Sequence, residues 1–586
     1  MQAQEASETN DLKTLYTITK QLGGRKTNTN RPVRGRNGNI LSKPTEQLDR
    51  WREHFSELFN GTPVLTPPDI EEGEDLNINL EQISKAEVVQ AIKKTKNGKS
   101  PGPDNIPPEI LKADAVTTAD ILIDLFQEAW ETENIPKEWR KGYIVKVPKK
   151  GDLSHCKNWR GIQLLSLPSK IYTRIILERI KKAVDTKLRN EQAGFRPGRS
   201  CVDQIATLRI IIEQSLEWQS PLYINFIDFK KAFDTVDRDV TWKILRHYGI
   251  PKKIVNIIRN IYEETECHVI HNGDISESFT VNTGVRQGCL LSPLIFSLVI
   301  DWVMKTSMNP SHGIQWTLTK KLNDLDFADD ISLLSHTIQG MQESTTRLQS
   351  TARDTGLDIN ITKTKTMRAN TVNKTSIYIE EELVEDVDSF TYLGSIVNKT
   401  GGTDDDIKAR ISKARYAFVT LKPVWRCSTI RTHTKLKLFN TNVKSVLLYG
   451  SETWRLTKGL EHKIQVFINK CLRQILRIKW SDKTPNEELW QRTKQQNIGD
   501  TIRTRKWKWV GHTLRRASGN IAKQALDWNP QGKRKRGRPV TTWRRTLDKE
   551  LKTAKLSWGE AKKKAQDRTK WRSAVKALCS QWSEED

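Results

Sequence analysis

Two adjacent acids set inside an apolar stretch constrain this chain more than any other feature. Asp329-Asp330 follows the apolar residues Leu322 and Leu325 and precedes the apolar run 331–334. Apolar runs on both sides of a polar pair predict two short strands over 322–335, joined by a tight turn at the acids. Such a turn holds both carboxylates at a strand junction. Because exposed acids rarely need apolar strands on both sides, we interpret this pair as a functional site.

Asp228 is a further acid in a strand context, because it ends the nearly continuous apolar strand predicted over 223–229. Hard divalent cations need several oxygen ligands, and acids at the ends of neighbouring strands suit a two-metal site for in-line attack at phosphorus. The alternative is that Asp228 caps the helix that follows, since Asp is a favoured N-cap residue. The acids at 404–406 are interpreted in that way, because they open a helix whose N-terminus favours negative charge.

A third candidate is the glycine-containing loop 284–293, which precedes an apolar helix that Pro293 opens. Its glycines allow the backbone to approach a ligand closely. The alternative is an ordinary loop before a core helix.

The chain divides into four predicted regions. Residues 1–75 form an extension with one helix and a Pro-rich, acidic linker, and residues 76–400 alternate strand-like runs with amphipathic helices. Residues 401–500 are predicted to be helical. Residues 501–586 are strongly basic, and tryptophans at 507, 509, 528, 543, 558 and 571 are interleaved with the charges. This combination of basic and aromatic residues favours a nucleic-acid-binding region.

The charge balance favours a polyanion as partner. Lys and Arg number 97 against 70 Asp and Glu, which gives a formal net charge of +27. Nucleic acid is the first candidate because Lys and Arg contacts with phosphate dominate its binding, and a basic protein without such a partner is the alternative. The seven cysteines are scattered without a CxxC pair, which indicates a reducing, intracellular location and no zinc finger. No signal-peptide stretch and no membrane-spanning stretch is predicted.

Nine short segments, taken in their order along the chain, resemble the conserved motifs of the reverse transcriptases of non-LTR (LINE-type) retrotransposons. Each motif alone is modest, but all of them in one order are highly specific. The segments that carry the resemblance are 97–104, 146–150, 158–162, 192–199, 228–234, 284–293, 327–330, 356–363 and 390–394.

The resemblance implies an α+β right-hand polymerase with fingers, an antiparallel palm sheet, a helical thumb and a basic C-terminal extension. It implies RNA-directed DNA synthesis, with Asp228, Asp329 and Asp330 as catalytic residues that hold Mg²⁺ or Mn²⁺. Template RNA, a DNA primer or target DNA, and deoxynucleoside triphosphates are the implied partners. No membrane is implied.

Residues for the incoming nucleotide also follow from the resemblance. Lys149 and Arg160 would clamp the triphosphate from the fingers, and Gln287 and Gly288 would line the nucleotide pocket. For Lys149, and equally for Lys363, the alternative is an ordinary solvated surface lysine, which is the commoner fate of this residue type.

Two further side chains are assigned to chemistry and to sugar selection. Lys363 would donate a proton to the pyrophosphate, with the nearby Lys365 as an alternative. The ring of Phe233 would face the sugar and exclude a 2′-hydroxyl, and the alternative is that Phe233 is only a core aromatic beneath the palm.

The implied contacts with the nucleic acid strands fall in two motifs. Arg196 and Arg199 belong to the second fingers motif at 192–199. Tyr392, Leu393 and Gly394 belong to the primer-grip motif at 390–394.

The basic strip 532–539 contains an Arg-Gly-Arg-Pro core like that of AT-hooks, in which Arg536 and Arg538 would enter the minor groove of A·T-rich DNA. The same strip could direct nuclear import, so a nuclear or a cytoplasmic location is expected. A solvated basic loop is the alternative.

The resemblance also has departures. Phe327 stands where many reverse transcriptases carry Tyr, and Phe is common in this family. Fewer than a hundred residues precede the first polymerase motif, and the C-terminal part lacks a Cys/His knuckle, so we expect a polymerase without its nuclease. The alternatives are a catalytically inactive or domesticated nucleic-acid-binding relic and a group II intron maturase-like protein.

Overall fold

A computed structural model describes residues 32–537 and 539–580, together with residues 6, 11, 14, 17 and 18. Among these residues, no helix is long and apolar enough to cross a membrane. The helices of seven residues or more are Pro44–Phe59, Lys85–Lys93, Ala115–Glu131, Leu167–Asp185, Cys201–Glu217, Arg238–His247, Lys252–Tyr262, Ser292–Ser307, Ile338–Arg353, Asp404–Thr420, Thr432–Leu438, Lys458–Leu476, Asn486–Thr493, Ile498–Leu514, Trp543–Thr553, Trp558–Gln566 and Arg568–Ser580.

A five-stranded sheet, here called the central sheet, forms the middle of the molecule. Its strands follow the spatial order Asp324–Phe327, Asp330–Ser335, Leu222–Ile227, Lys365–Ala369 and Glu385–Asp386, and only the last pair is parallel.

The strand Leu222–Ile227 is buried along its whole length, because both faces of the central sheet are covered. Helix Ile338–Arg353 packs on one face, and helix Cys201–Glu217 packs on the other. Burial on both faces explains why this strand reads as a continuous apolar run instead of alternating with polar residues.

A second sheet, here called the fingers sheet, contains the strands Lys141–Pro148, Trp159–Leu164, Thr265–His271, Asp274–Ile275 and Phe279–Val281. Helix Pro44–Phe59 packs against it and buries Trp51 and Phe55. A Cβ added at Gly161, on the second strand, would overlap the Phe55 ring, so the helix lies directly on the sheet. The helix predicted within residues 1–75 is therefore part of the body of the protein.

The helices from Asp404–Thr420 to Asn486–Thr493 enclose a core of their own, in which Phe418, Trp454 and Leu472 are buried. Residues 401–500 are helical, as the sequence predicts. The mixture of separate helical and sheet regions confirms the α+β class.

Tryptophans of the basic C-terminal region lie in the core of the molecule. Trp507, Trp509 and Trp543 are buried in the same apolar cluster as Ile224 and Phe226 of the central sheet. The sequence interpretation, in which these tryptophans favour nucleic-acid binding, is wrong for these residues, because buried rings cannot stack on bases. The C-terminal helices instead pack on helix Cys201–Glu217, which covers one face of the central sheet.

Candidate active site

The paired acids lie at a hairpin turn, as predicted. Phe327 pairs with Asp330, so Ala328 and Asp329 are the two central residues of the turn. Ala328 has a φ of 57°, and a positive φ at the first central position is typical of a type II′ turn. The side chain of Gln192 supports this turn, because its Oε1 accepts a hydrogen bond from the Ala328 amide at 2.9 Å.

The segment around Ala193 extends the central sheet beside this hairpin. The Ala193 amide donates to the Asp326 carbonyl at 2.9 Å, and the Gly194 amide donates to Gln192 Oε1 at 2.7 Å. A Cβ added at Gly194 would overlap the amide nitrogen of Ala328, so glycine permits this close approach. The second fingers motif therefore fixes the position of the turn that carries the acids.

Strand register brings Asp228 to the same edge as this turn. Ile331 pairs with Ile227, so Asp330 and Asp228, the next residue along each strand, lie side by side. Lys363 Nζ donates to Asp228 Oδ2 at 2.7 Å. Asp228, Asp330 and Lys363 line a cleft of about 370 Å³, whose other lining residues include Lys365, Phe390 and Tyr392.

The chemistry of these donors fits a hard divalent cation. Burial and the charge of Asp228 raise the pKa of Asp329, and burial with the charges of Asp329 and Asp228 raises the pKa of Asp330 to about 6. Three carboxylates therefore repel one another in a small space, and a bound cation would relieve this repulsion.

In the described part of the chain, no group of three or more His, Cys, Asp or Glu side chains is arranged to hold a metal ion. This does not conflict with the chemistry of the donors, because Mg²⁺ is often bound by one or two carboxylates together with phosphates of the substrate. Asp228, Asp329 and Asp330 are the residues that would hold such an ion.

Four basic side chains lie near these carboxylates or near the neighbouring Asp234. Lys149, Arg160 and Lys231 act electrostatically on Asp234, and Arg160 and Lys363 act on Asp329. Basic groups beside a cation site suit a ligand that carries several negative charges, such as a triphosphate. The sequence analysis gave no role to Lys231, although this residue lies within the motif at 228–234.

Of the two candidate proton donors, Lys363 is the one that contacts the site. Lys365 Nζ pairs with Glu385 at 2.7 Å on the neighbouring strand, whereas Lys363 Nζ lies 2.7 Å from Asp228.

Asp234 links the motif at 228–234 to the glycine-containing loop, and sequence reasoning gave it no role. Gln287 Nε2 donates to Asp234 Oδ1 at 2.5 Å, and the Gln287 carbonyl accepts from the Gln163 amide at 2.7 Å. A Cβ added at Gly288, whose φ is 143°, would overlap the Gln163 carbonyl. Gln287 and Gly288 therefore pack between the palm and the fingers sheet, beside the basic side chains.

We expect Asp234→Asn to increase the stability of the folded protein at pH 8. Burial raises the pKa of Asp234 to about 6, so this carboxyl holds its proton more tightly in the folded state than in the unfolded chain. Stability is therefore lost as the pH rises from about 4 to 6, and asparagine removes a penalty of about 1–3 kcal/mol above that range. Denaturant unfolding at pH 4, 6 and 8 measures this difference, and an unchanged pH dependence in the variant would contradict it.

The ring of Phe233 is half-buried between two aromatic neighbours. It stacks on Phe296 with ring centroids 4.1 Å apart and meets Phe195 edge-on at 6.2 Å. The contact with Phe296 belongs to the core beneath the palm. The partial exposure of Phe233 leaves its assignment to the sugar of the nucleotide as a prediction.

Arg196 has a structural role in place of the implied nucleic-acid contact. It is buried, its Nε donates to Asp185 Oδ1 at 2.7 Å, and its other donors bond backbone carbonyls, among them that of Gln192 at 3.1 Å. Arg199 is half-buried and bonds the Asn190 carbonyl at 2.7 Å. Both arginines hold the segment that supports the turn at Asp329-Asp330.

The primer-grip motif forms a second hairpin, between strands Ser389–Tyr392 and Ser395–Asn398. Its central residues Leu393 and Gly394 have φ of 46° and 80°, as in a type I′ turn. The Leu393 carbonyl accepts from Tyr449 Oη at 2.9 Å, which ties this turn to the helical region. Tyr392 is buried, and its hydroxyl donates to the Leu325 carbonyl at 3.1 Å. This hairpin thus lies against the strand that leads to the turn at Asp329-Asp330.

Of the two arginines assigned to the basic strip, Arg536 is exposed and Arg538 lies outside the described residues.

A buried ionic cluster supports the hairpin of Asp329-Asp330 from below. Arg189 bonds Asp301 at 3.2 Å, Asp324 at 2.8 Å and Asp326 at 2.5 Å, and Tyr248 Oη donates to Asp301 at 2.6 Å. Sequence reasoning missed this cluster. Asp324 and Asp326 lie two positions apart on one strand, so their side chains point to the same face of the sheet. Two acids on one face of an otherwise apolar strand indicate a buried cationic partner.

Comparison with known proteins places this geometry in a family. Residues 147–397 match the family model described as reverse transcriptase (RNA-dependent DNA polymerase), and residues 417–449 match a domain of unknown function. The probable RNA-directed DNA polymerase from transposon BS of Drosophila melanogaster is 26% identical, over 76% of this chain and 51% of the relative.

A further relative is the Pol polyprotein from the type-2 retrotransposable element R2DM of Drosophila melanogaster, which is 26% identical over 64% of this chain and 35% of the relative. The chain thus spans about half or less of the length of these curated relatives. Among solved structures, apo telomerase from Candida tropicalis superposes with a TM-score of 0.36 at 13% identity, over 70% of this chain and 74% of that one.

The motifs, the hairpin of acids and the family match agree. The right-hand polymerase fold is confirmed, with the central sheet as its palm. Residues 147–397 of this chain are therefore a reverse transcriptase domain of the kind carried by non-LTR retrotransposons.

Proposed function

We propose that this chain is the RNA-directed DNA polymerase of a LINE-like mobile element. The observation that carries the proposal is the edge of the palm sheet, where Asp228, Asp329 and Asp330 meet. Arg160 and Lys363 lie near Asp329, and further basic side chains lie near the neighbouring Asp234. Its partners are template RNA, a DNA primer or target DNA, and deoxynucleoside triphosphates.

The reaction joins the primer 3′-hydroxyl to the α-phosphorus of the incoming nucleotide and releases pyrophosphate. Mg²⁺ or Mn²⁺ held by the three carboxylates would lower the pKa of the hydroxyl and offset charge on the leaving group. Lys149, Arg160 and Lys231 bind the triphosphate.

Lys363 changes partner when the triphosphate binds. In the free protein its ammonium neutralises Asp228 at 2.7 Å. A cation held by Asp228 would neutralise that carboxylate and free Lys363, whose ammonium could then donate a proton to the pyrophosphate.

The test is extension of a DNA primer on an RNA template by the purified chain. We expect deoxynucleotide addition that requires a divalent cation and that stops in the presence of a chelator. A protein that binds the primer–template without extending it, with either Mg²⁺ or Mn²⁺, would contradict the proposal and favour the inactive relic.

Sugar selection gives a sharper prediction for the same site. We expect Phe233→Val to increase ribonucleotide incorporation by at least about tenfold, because a smaller side chain no longer collides with the 2′-hydroxyl. Deoxynucleotide incorporation should stay near normal, and stability should fall by about 1–3 kcal/mol through the lost ring contact. Single-nucleotide extension with each sugar, beside a melting curve, measures both effects.

Phe296→Leu is the matched control, because it removes the stacking partner of Phe233 from below without opening the exposed side of the ring. It should lower stability and leave the sugar preference unchanged. An unchanged preference in Phe233→Val would show that Phe233 is only a core aromatic.

A further inference from the structure

A strongly basic cavity of about 730 Å³ lies outside the catalytic cleft. Its walls come from helix Cys201–Glu217, from the end of strand Lys365–Ala369, from the loop that enters the thumb and from the C-terminal region. Seven cationic side chains line it, against two carboxylates. The cations are Arg368, Lys399, Arg455, the three residues 534–536, and Arg545.

The cavity is separate from the catalytic carboxylates. Ala369, in its wall, pairs with Leu222 at one end of the palm sheet, whereas Asp228 follows Ile227 at the other end. Six residues of extended strand separate the two ends by about 20 Å. A group bound in the cavity therefore cannot be the nucleotide or the primer terminus at Asp228.

Several cations in the walls have carboxylate partners that hold them only loosely. Glu217 is shared by Arg534, at 3.0 Å, and Arg545. Arg455 pairs with Asp404 at 3.1 Å, and Lys399 with Asp388 at 2.5 Å. Asp388 and Asp404 are exposed, so these pairs are weak and can exchange for a phosphate.

The second carboxylate of the cavity offsets little of this charge. Glu213 accepts the Trp543 amide at 2.8 Å, and burial raises its pKa to about 7. Arg368 forms an ion pair with Asp386 at 3.0 Å, at the edge of the palm sheet. Lys535 and Arg536 are exposed, and neither forms an ion pair with any described residue. The open side of the cavity therefore carries a net positive charge.

We propose that this cavity binds the phosphodiester backbone of a nucleic acid strand, as a second contact apart from the polymerase cleft. Cations from four separate segments converge on one concave surface, which suits a chain of regularly spaced phosphates. The strip 534–536 is held against helix Cys201–Glu217, where the Lys535 amide donates to the Glu217 carbonyl at 2.9 Å. The binding surface is therefore already formed before the strand arrives.

Paired charge reversals test the site in the full-length protein. We expect Lys535→Glu with Arg536→Glu to weaken binding by about tenfold and to lower the slope of log affinity against log salt by about two. The control is Lys563→Glu with Lys564→Glu, an equal change of charge on two exposed lysines of helix Trp558–Gln566. The control should alter affinity by less than about threefold.

The probes are a 30-nucleotide single-stranded RNA, the DNA strand of the same sequence and the corresponding DNA duplex. The probe with the largest difference between the two variants identifies the strand that the cavity holds, and equal differences indicate recognition of the phosphate backbone alone. Equal weakening by both variants, or by neither, overturns the proposal. An acidic protein partner would leave all three probes unaffected.

Lys399→Gln tests whether the cavity wall opposite residues 534–536 contributes to binding. It removes one cation from the opposite wall, and we expect about a threefold loss of affinity. No loss would show that the strip acts without the cavity, and the assignment of the cavity would then be wrong. These binding differences do not depend on DNA synthesis, so a failure of primer extension by the wild-type chain would be distinguishable.

Discussion

Asp329→Asn should lower the rate of DNA synthesis by about 10³-fold or more, because it removes a charge that a bound cation and the triphosphate need. The loss corresponds to several kcal/mol of transition-state stabilisation. The folded state should not suffer, because burial and the charge of Asp228 already disfavour the ionised form of Asp329. The melting temperature should therefore stay the same or rise slightly.

Single-turnover extension on a prebound primer–template measures the chemical step, and a melting curve on the same preparation checks the fold. Asp405→Asn is the matched control, since Asp405 is exposed in the first turn of helix Asp404–Thr420, away from the site. The control should extend the primer at the wild-type rate. Normal extension by Asp329→Asn would remove this carboxylate from the catalytic site.

The second large effect concerns the fold beneath the hairpin. Arg189→Met should cost about 3–5 kcal/mol of unfolding free energy, because it leaves three buried carboxylates without their shared cation. Two of these, Asp324 and Asp326, belong to the strand that ends at the catalytic turn. We therefore expect extension activity to fall together with stability.

Denaturant unfolding gives the free energy, and two further variants give the comparison. Arg259→Met removes an arginine that is paired with Glu263 on the surface, and it should change stability by less than about 1 kcal/mol. Adding Asp326→Asn to Arg189→Met should recover part of the loss, because it removes one of the stranded charges. Equal stability of Arg189→Met and Arg259→Met would show that the cluster contributes little.

Local signals in the sequence predicted local structure well. The hairpin at Asp329-Asp330, the strand before Asp228 and the helical character of 401–500 all follow from the spacing of apolar residues along short segments. Asp228 and the paired acids also lie together as expected, because they stand at the ends of neighbouring strands of one sheet.

Contacts between distant segments could not be predicted in this way. Gln192 supports Ala328 from 136 positions away, and Arg189 binds Asp324 from 135 positions away. The local residue pattern of each segment does not indicate which distant residue the segment contacts. Asp234 escaped notice for the same reason, since its role depends on Gln287 in another loop.

The error over the C-terminal tryptophans has a physical cause as well. A basic segment with interleaved aromatics has the same composition whether its rings stack on bases or fill a core, and only the partner surface distinguishes the two. Here helix Cys201–Glu217 and the palm sheet supply that surface, and Trp509 Nε1 donates to Asp203 at 2.9 Å across 306 positions.

Completion of the palm by the C-terminal helices has a consequence for synthesis of the chain. The last strand of the central sheet ends at Asp386, but Trp571, which packs in the same core, is made 185 residues later. At ribosomal rates the apolar surface of helix Cys201–Glu217, on which the C-terminal helices pack, would stay uncovered for about 10–40 s after the sheet strands have emerged. During that interval the nascent chain exposes a surface that chaperones bind and that promotes aggregation.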